Sequence, residues 1–337
     1  MQTYQEIHDC LETNNFSGKY GAALASYYGL VKATKDVSIS PANEGIPTPF
    51  TLKKCDTWDK IVTLDPLGME SARPTIASTQ SNLNIPELKG KLHIDGVHVR
   101  KDDSIACTKF GIEHAWHLPK LAERLQISEK KLRCSLYEHT GIGDVLDEDK
   151  PVFLPPIPGT TVYMFGDIKN KDVETTVRVH AECNGSDVFG TDICTCRPYL
   201  MFAIGEAVKT AQNGGFGLVV YYRKEGRALG EVTKFSVYNA RKVQDGGDRP
   251  ETYFENTEKI AGVVDARFQP LMPDILHLLG ITRVDNWLSM SNEKSDAARS
   301  QGIEIRKQTD LPDSLIPSNA HVEINAKIAS GYFSSKK

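Results

Sequence analysis

An α+β protein of α/β-like character, with an additional N-terminal domain, is what the sequence predicts, and three observations predict it. From residue 160 onward, strand-like and helix-like segments alternate with short glycine-containing links. Just before them, residues 152–158 read VFLPPIP, and three prolines so close together favour an extended crossing between domains. The chain has 337 residues, 40% apolar and 25% charged, enough for a full core and two domains. The boundary is therefore placed between an accessory domain, 1–151, and a main domain, 152–337.

The first 85 or so residues are the least regular, with Pro41, Pro47, Pro49 and Pro74 breaking any long element. Residues 91–109, KLHIDGVHVRKDDSIACTK, alternate well enough for a β-hairpin or short meander. Next, Leu118, Leu121 and Leu125 share one helical face, Ser128 can cap a second helix, and Gly141 can end it. Two short helices on a tight turn resemble a helix-turn-helix. The acidic chain and the lack of a base-reading set on the second helix argue against DNA and for a packing module. In the main domain, 160–165 and 175–181 read as strands, and 199–211 as a helix with Leu200, Ile204, Ala207, Val208 and Ala211 on one side. Then follow a strand at 216–222 and helices at 229–241 and 271–279. A strand at 284–288, a helix at 292–301 between Ser291 and Gly302, a strand at 303–305 and a tail helix complete the chain.

The formal net charge of -4 advertises neither nucleic acid nor an anionic membrane, so a phosphate must be gripped by a few placed groups. The N-terminal residues have no basic region leading into an apolar run, and no apolar stretch is long enough to span a bilayer. A cytoplasmic location is expected. Of seven cysteines, Cys10, Cys55, Cys107 and Cys134 are scattered and read as inert thiols of a reducing compartment.

The other three are bunched. Ten residues separate Cys183 from Cys194-Thr195-Cys196, and thiolates so close bind soft metal, zinc first. A closed structural site needs a fourth ligand, for which His180 is the candidate; an open catalytic site keeps a position for an acidified water. Strand alternation in RVHAEC points His180 away from Cys183 and favours the open site.

RVHAEC, GTDICTC and YYRKEGRALG resemble, in order and spacing, the signature blocks of the GTP cyclohydrolase II family. The resemblance spans about 175–307 and implies that family's catalytic fold, a homodimer, and a zinc held by Cys183, Cys194 and Cys196. It implies catalytic roles for Asp265 (proton acceptor), Arg267 (nucleophile toward phosphate) and Tyr238. Substrate-binding roles fall on Arg178, His180, Glu182, Tyr199, Glu225, Gly226, Arg227, Ser289 and Lys294. Some of these have a physical rationale of their own. Arg227 offers a rigid fork of donors, Gly226 permits close backbone approach, and Lys294 lies in a helical first turn where free N–H groups favour an anion. Asp265 and Arg267, alternate residues on an extended stretch, could equally form a plain ion pair.

Departures cluster where the base should be recognised. The family's C-x-C-G-x-Q-L becomes CTCRPYL, so Tyr199 stands where a Gln contacts substrate; T-N-N-P becomes SMSN, with Met290 for an amide; PETYFENTEKIAG replaces D-T-V-E-A-N. A pocket that exchanges amides for Tyr and Met should accept a different base. Residues 111–141 and 152–167 further resemble the GTP cyclohydrolase II-like proteins of uracil catabolism, which implies UMP as substrate, opened to a ribosylurea phosphate. GTP cyclohydrolase II activity and a non-catalytic nucleotide-binding regulator are the alternatives. Because UMP has no pyrophosphate to expel, Arg267 is expected to bind phosphate.

Overall fold

The computed structural model describes residues 75–112, 116–153, 159–228 and 232–335. The prolines at 41–74 and at 155–158, Cys10 and Cys55, and the expected helix start at 229–231 lie outside the described residues. The chain divides into two compact units. Among the described residues, 75–78, 109–161 and 274–280 fall in one and 79–108, 162–273 and 281–335 in the other.

Along the chain come β1 (Thr75–Leu83), β2 (Ile105–Ile112), β3 (Trp116–His117), α1 (Leu118–Arg124), α2 (Glu129–Thr140), β4 (Val152–Phe153), β5 (Thr160–Gly166), β6 (Thr175–Ala181) and α3 (Asn184–Asp187). Then follow α4 (Cys196–Gln212), β7 (Phe216–Tyr222), α5 (Thr233–Val243), α6 (Tyr253–Ala261), α7 (Asp274–Leu278), β8 (Arg283–Leu288), α8 (Asn292–Ser300), β9 (Glu304–Thr309) and α9 (His321–Ala329). A seven-stranded sheet runs in the order β1-β2-β5-β7-β6-β8-β9, and β3 pairs with β4.

In the first unit the two predicted helices form. Ser128 Oγ accepts the Lys131 N–H, and Gly141 closes α2 at φ 69°. Arg133 of α2 turns inward, donating to the carbonyls of Val145, Asp147 and Lys150. A basic side chain spent in this way holds the loop after α2 and is not offered to a partner.

The second unit positions the site. β6 pairs in parallel with β7 on one side and β8 on the other, and β8 pairs in parallel with β9. Strands buried on both faces read as continuous apolar runs, and β7 (FGLVVYY) is one. α4 packs on β7 with Gly217 beneath Ala207, where a Cβ would come within 2.3 Å of the Ala207 methyl. Leu200, Ala207, Val208 and Ala211 bury against Phe165 and Val219.

Three expectations are corrected. The arm 91–104 is not a strand: Asp95 accepts the N–H groups of Val97, His98 and Val99, which removes them from a ladder and leaves only a Val99–Ile105 bridge. The helix expected at 271–279 is shortened to α7, because Pro273 cannot continue the preceding turn but suits a helix start. α4 begins at Cys196, earlier than expected, with Pro198 in its first turn.

Candidate metal centre and cavity

Three parallel strands end at the same place. β6 delivers Cys183, β7 leads into residues 223–228, and β8 leads into 289–294. Open α/β sheets hold ligands outside the carboxyl ends of their strands.

The sulfurs of Cys183, Cys194 and Cys196 all lie within 4.8 Å of one another, with Cys183 Sγ 3.7 Å from Cys194 Sγ. Tetrahedral zinc with Zn–S bonds of about 2.3 Å sets its sulfurs about 3.8 Å apart, so the three thiols fit that ion. Hydrogen bonds from Cys183 and Cys196 hold the Cys194 thiol well below its ordinary pKa; in turn Cys194 pushes Cys183 up, and Cys183 with Cys194 push Cys196 up. Cys196, as the first residue of α4, also lies at a helix N-terminus, which favours a thiolate. Desolvation works against the charge of half-buried Lys234, but Cys183, Tyr253 and Cys194 raise its pKa well above normal.

Tyr238 lies against the cluster, its hydroxyl 3.0 Å from Cys183 Sγ. Burial first, then the thiolates of Cys194 and Cys183, push its pKa far up, so the phenol stays protonated and donates. Gly185 makes room for its ring: a Cβ there would come within 2.6 Å of it.

His180 turns away from the sulfurs and is buried. Its Nε2 is 3.0 Å from Asp187 Oδ2, its Nδ1 is 3.1 Å from Arg178 Nη2, and its ring stacks on Tyr221. Burial lowers its pKa, and a neutral ring that donates from Nε2 and accepts at Nδ1 satisfies both contacts. Asp187 in turn accepts the Cys183 N–H at 2.9 Å, so hydrogen bonds link His180 through Asp187 to the start of the cysteine loop and occupy both ring nitrogens. His180→Ala is therefore expected to retain zinc near one per chain by elemental analysis. Release as complete as in a cysteine variant would make His180 a ligand.

Asp265 is held by two arginines. It accepts from Arg267 Nε at 2.9 Å and Nη2 at 2.6 Å, and from Arg227 Nε at 3.2 Å. Burial alone would raise its pKa; the hydrogen bonds and charge of Arg267, with Arg227, hold it at about 2. A carboxyl so depressed from 3.8 contributes stability that is present above that value and lost as pH falls toward 2. Thermal melts of wild type and Asp265→Asn are expected to differ near neutral pH and converge through that acid window. A difference that persists unchanged to pH 2 would contradict the ion pair.

Lys294, in the first turn of α8, is buried and donates to the Val179 carbonyl at 2.9 Å. Burial, Arg267 and Arg178 push its pKa well down, a cost that an anionic ligand would relieve. Arg178 Nη1 donates to the Leu288 carbonyl and its guanidinium stacks 3.9 Å over Tyr199, whose hydroxyl donates to the Thr309 carbonyl. Tyr199 thus presents a ring face, not a polar tip.

These groups open onto a cavity of about 760 Å³, its open mouth included. Arg178, His180, Tyr199, Gly226, Arg227 and Lys294 line it, as do Ser289, Arg267, Cys183 and Cys196. Gly226 bends with φ 43° while its N–H donates to the Glu182 carbonyl, a conformation suited to glycine. Five residues named from the sequence do not reach the cavity wall. Tyr238 and Cys194 lie behind Cys183 and Cys196, Asp265 behind its arginines, and Glu182 does not line the wall. The fifth is Glu225, whose buried carboxylate accepts the Asn184 N–H and so secures the turn after Cys183.

Sequence reasoning missed Ser291, Lys234, Phe254, Tyr332, Glu323 and Lys327 in the wall. Ser291 is the most telling. It precedes α8 but does not cap it, and its buried hydroxyl has no hydrogen-bond partner among the described residues. The last three come from beyond residue 310, where no motif pointed.

A family model described as GTP cyclohydrolase II matches residues 158–310, and one described as GTP cyclohydrolase N terminal matches 5–139. The chain belongs to the GTP cyclohydrolase II family, a family of hydrolases. It is similar to "Uracil-regulated protein 1" of Schizosaccharomyces pombe, 46% identical over 98% of this chain and 81% of that protein. "Putative GTP cyclohydrolase URC1" of Lachancea kluyveri is also 46% identical, over 97% of this chain and 80% of its own length. GTP cyclohydrolase-2 of Picrophilus torridus is 31% identical over 44% of this chain and 70% of its own.

Proposed function

We propose that the chain opens the base ring of UMP by hydrolysis, yielding a ribosylurea phosphate, with one zinc held by Cys183, Cys194 and Cys196. The observation that carries this is the three-thiol cluster at the edge of a cationic cavity whose wall includes Tyr199 and Met290, which stand where the family pattern it resembles has amides. The name of one long relative, "Uracil-regulated protein 1", connects that protein with uracil, whereas that of the other, "Putative GTP cyclohydrolase URC1", names GTP, so the choice of base rests on the cavity wall. When bound, zinc would supply Lewis acidity, lowering the pKa of water and stabilising negative charge on a carbonyl oxygen.

The chain's own residues do the rest. Arg267, Arg227 and Lys294 take the phosphate, and the α8 N–H groups and the Ser291 hydroxyl add donors. Tyr199 offers a flat face to the base. Tyr238 holds a proton at Oη beside Cys183 Sγ, and ionised Asp265 orients the two arginines. One water breaks the N3–C4 bond; a second hydrolyses the enamine at N1–C6 and releases a three-carbon fragment.

Zinc-replete protein incubated separately with UMP and GTP should bleach the uracil absorbance and release no formate from GTP. Formate from GTP with UMP unchanged would assign GTP cyclohydrolase II activity.

The same reading takes the chain as a cytoplasmic homodimer with its domain boundary at 151/152. Val188 and Phe189 are 62% and 72% exposed, apolar surface suited to a second copy. A monomer mass by light scattering at micromolar concentration would remove the dimer. No helix of the described residues is long and apolar enough to cross a membrane.

A further inference from the structure

Helix α9 lies beyond residue 310, where the match to GTP cyclohydrolase II ends. Yet its first turn reaches the loop that carries two of the three thiols. The Glu323 carboxylate, 2% exposed, accepts the Thr195 N–H at Oε2 and the Thr195 hydroxyl at Oε1, both at 3.0 Å. Lys327, one turn further on, pairs with Glu323 and approaches Thr195 Oγ1. Thr195 itself is buried between Cys194 and Cys196 and makes no side-chain cap for α4; Ser186 Oγ accepts the Arg197 N–H of the first turn, and Glu323 takes the Thr195 N–H just ahead of it.

We propose that Glu323 is a positioning residue of the metal centre: by gripping Thr195 at two atoms it fixes the spacing of Cys194 and Cys196 and slows the loss of zinc. The proposal rests on the zinc reading above. A carboxylate that accepts both the backbone N–H and the side-chain hydroxyl of Thr195 restrains the residue between the two thiols at two atoms. Partners of this kind behind metal ligands are worth about 10- to 100-fold in metal affinity. A mere tether for the C-terminal segment would instead change melting temperature and leave zinc release alone.

The test follows zinc transfer from the folded full chain to an excess of a coloured chelator. Glu323→Ala is expected to release zinc roughly 10- to 100-fold faster than wild type. Thr195→Val, which keeps the shape and loses the hydroxyl, should be faster than wild type, and Thr195→Ser should restore slow release. The Glu323→Ala, Thr195→Val double variant should be no faster than Glu323→Ala alone, since both remove one interaction. Folded Glu323→Ala releasing zinc within about twofold of wild type would overturn the proposal. If Glu323→Ala does not fold, the Thr195 pair decides, and equal rates for valine and serine would overturn it. A wild-type chain that binds no zinc would sink the metal reading itself, a result distinct from zinc bound and Glu323 indifferent.

Discussion

Cys194→Ser is expected to leave the purified chain without stoichiometric zinc and to reduce ring opening to background. Cys194 is the thiol most easily ionised in the cluster, it is fully buried, and Cys183 and Cys196 both direct hydrogen bonds at it. Serine keeps the shape but not a soft ligand, so two thiols remain where three converge. Metal binding is coupled to structure, and a fall in melting temperature should accompany the loss. Elemental analysis and turnover measured on the same sample check the result. Zinc retained near one per chain would mean that the ion sits elsewhere.

Arg267→Ala is expected to raise KM for the nucleotide roughly 100-fold, about 2.7 kcal/mol, with a smaller change in kcat. The guanidinium lines the cavity and is pinned by Asp265, so it meets a phosphate already oriented. Arg267→Lys keeps the charge but not the fork and should fall between. The fold should survive, because Asp265 retains Arg227 and Gln269. A collapse of kcat at unchanged KM would instead point to the nucleophilic role that the family resemblance implies.

Much of this arrangement was legible in the sequence, for identifiable reasons. β6 and β7 announce themselves because burial on both faces leaves long apolar or β-branched runs. The tight spacing of Cys183, Cys194 and Cys196 brings them together with little help from the rest of the chain. β9 extends beyond the strand expected at 303–305, since an edge strand of sequence EIRKQT carries charges where an interior strand would carry apolar residues. Glu225 carried a motif match and no information about which N–H its carboxylate would meet. Glu323 and Lys327 were invisible for a deeper reason. They reach Thr195 from 128 and 132 residues away, and no local pattern distinguishes a glutamate that will be buried from one that will be solvated.

Hydrolysis of a pyrimidine ring, and not its binding alone, is the central proposal for this chain. Mass spectrometry of UMP after prolonged incubation with zinc-replete protein, carried out in isotopically heavy water, addresses it directly. The account predicts loss of UMP and the appearance of a ribosylurea phosphate together with a three-carbon product bearing heavy oxygen. UMP bound, as calorimetry would register, but recovered unchanged would contradict it and make the chain a nucleotide-binding regulator.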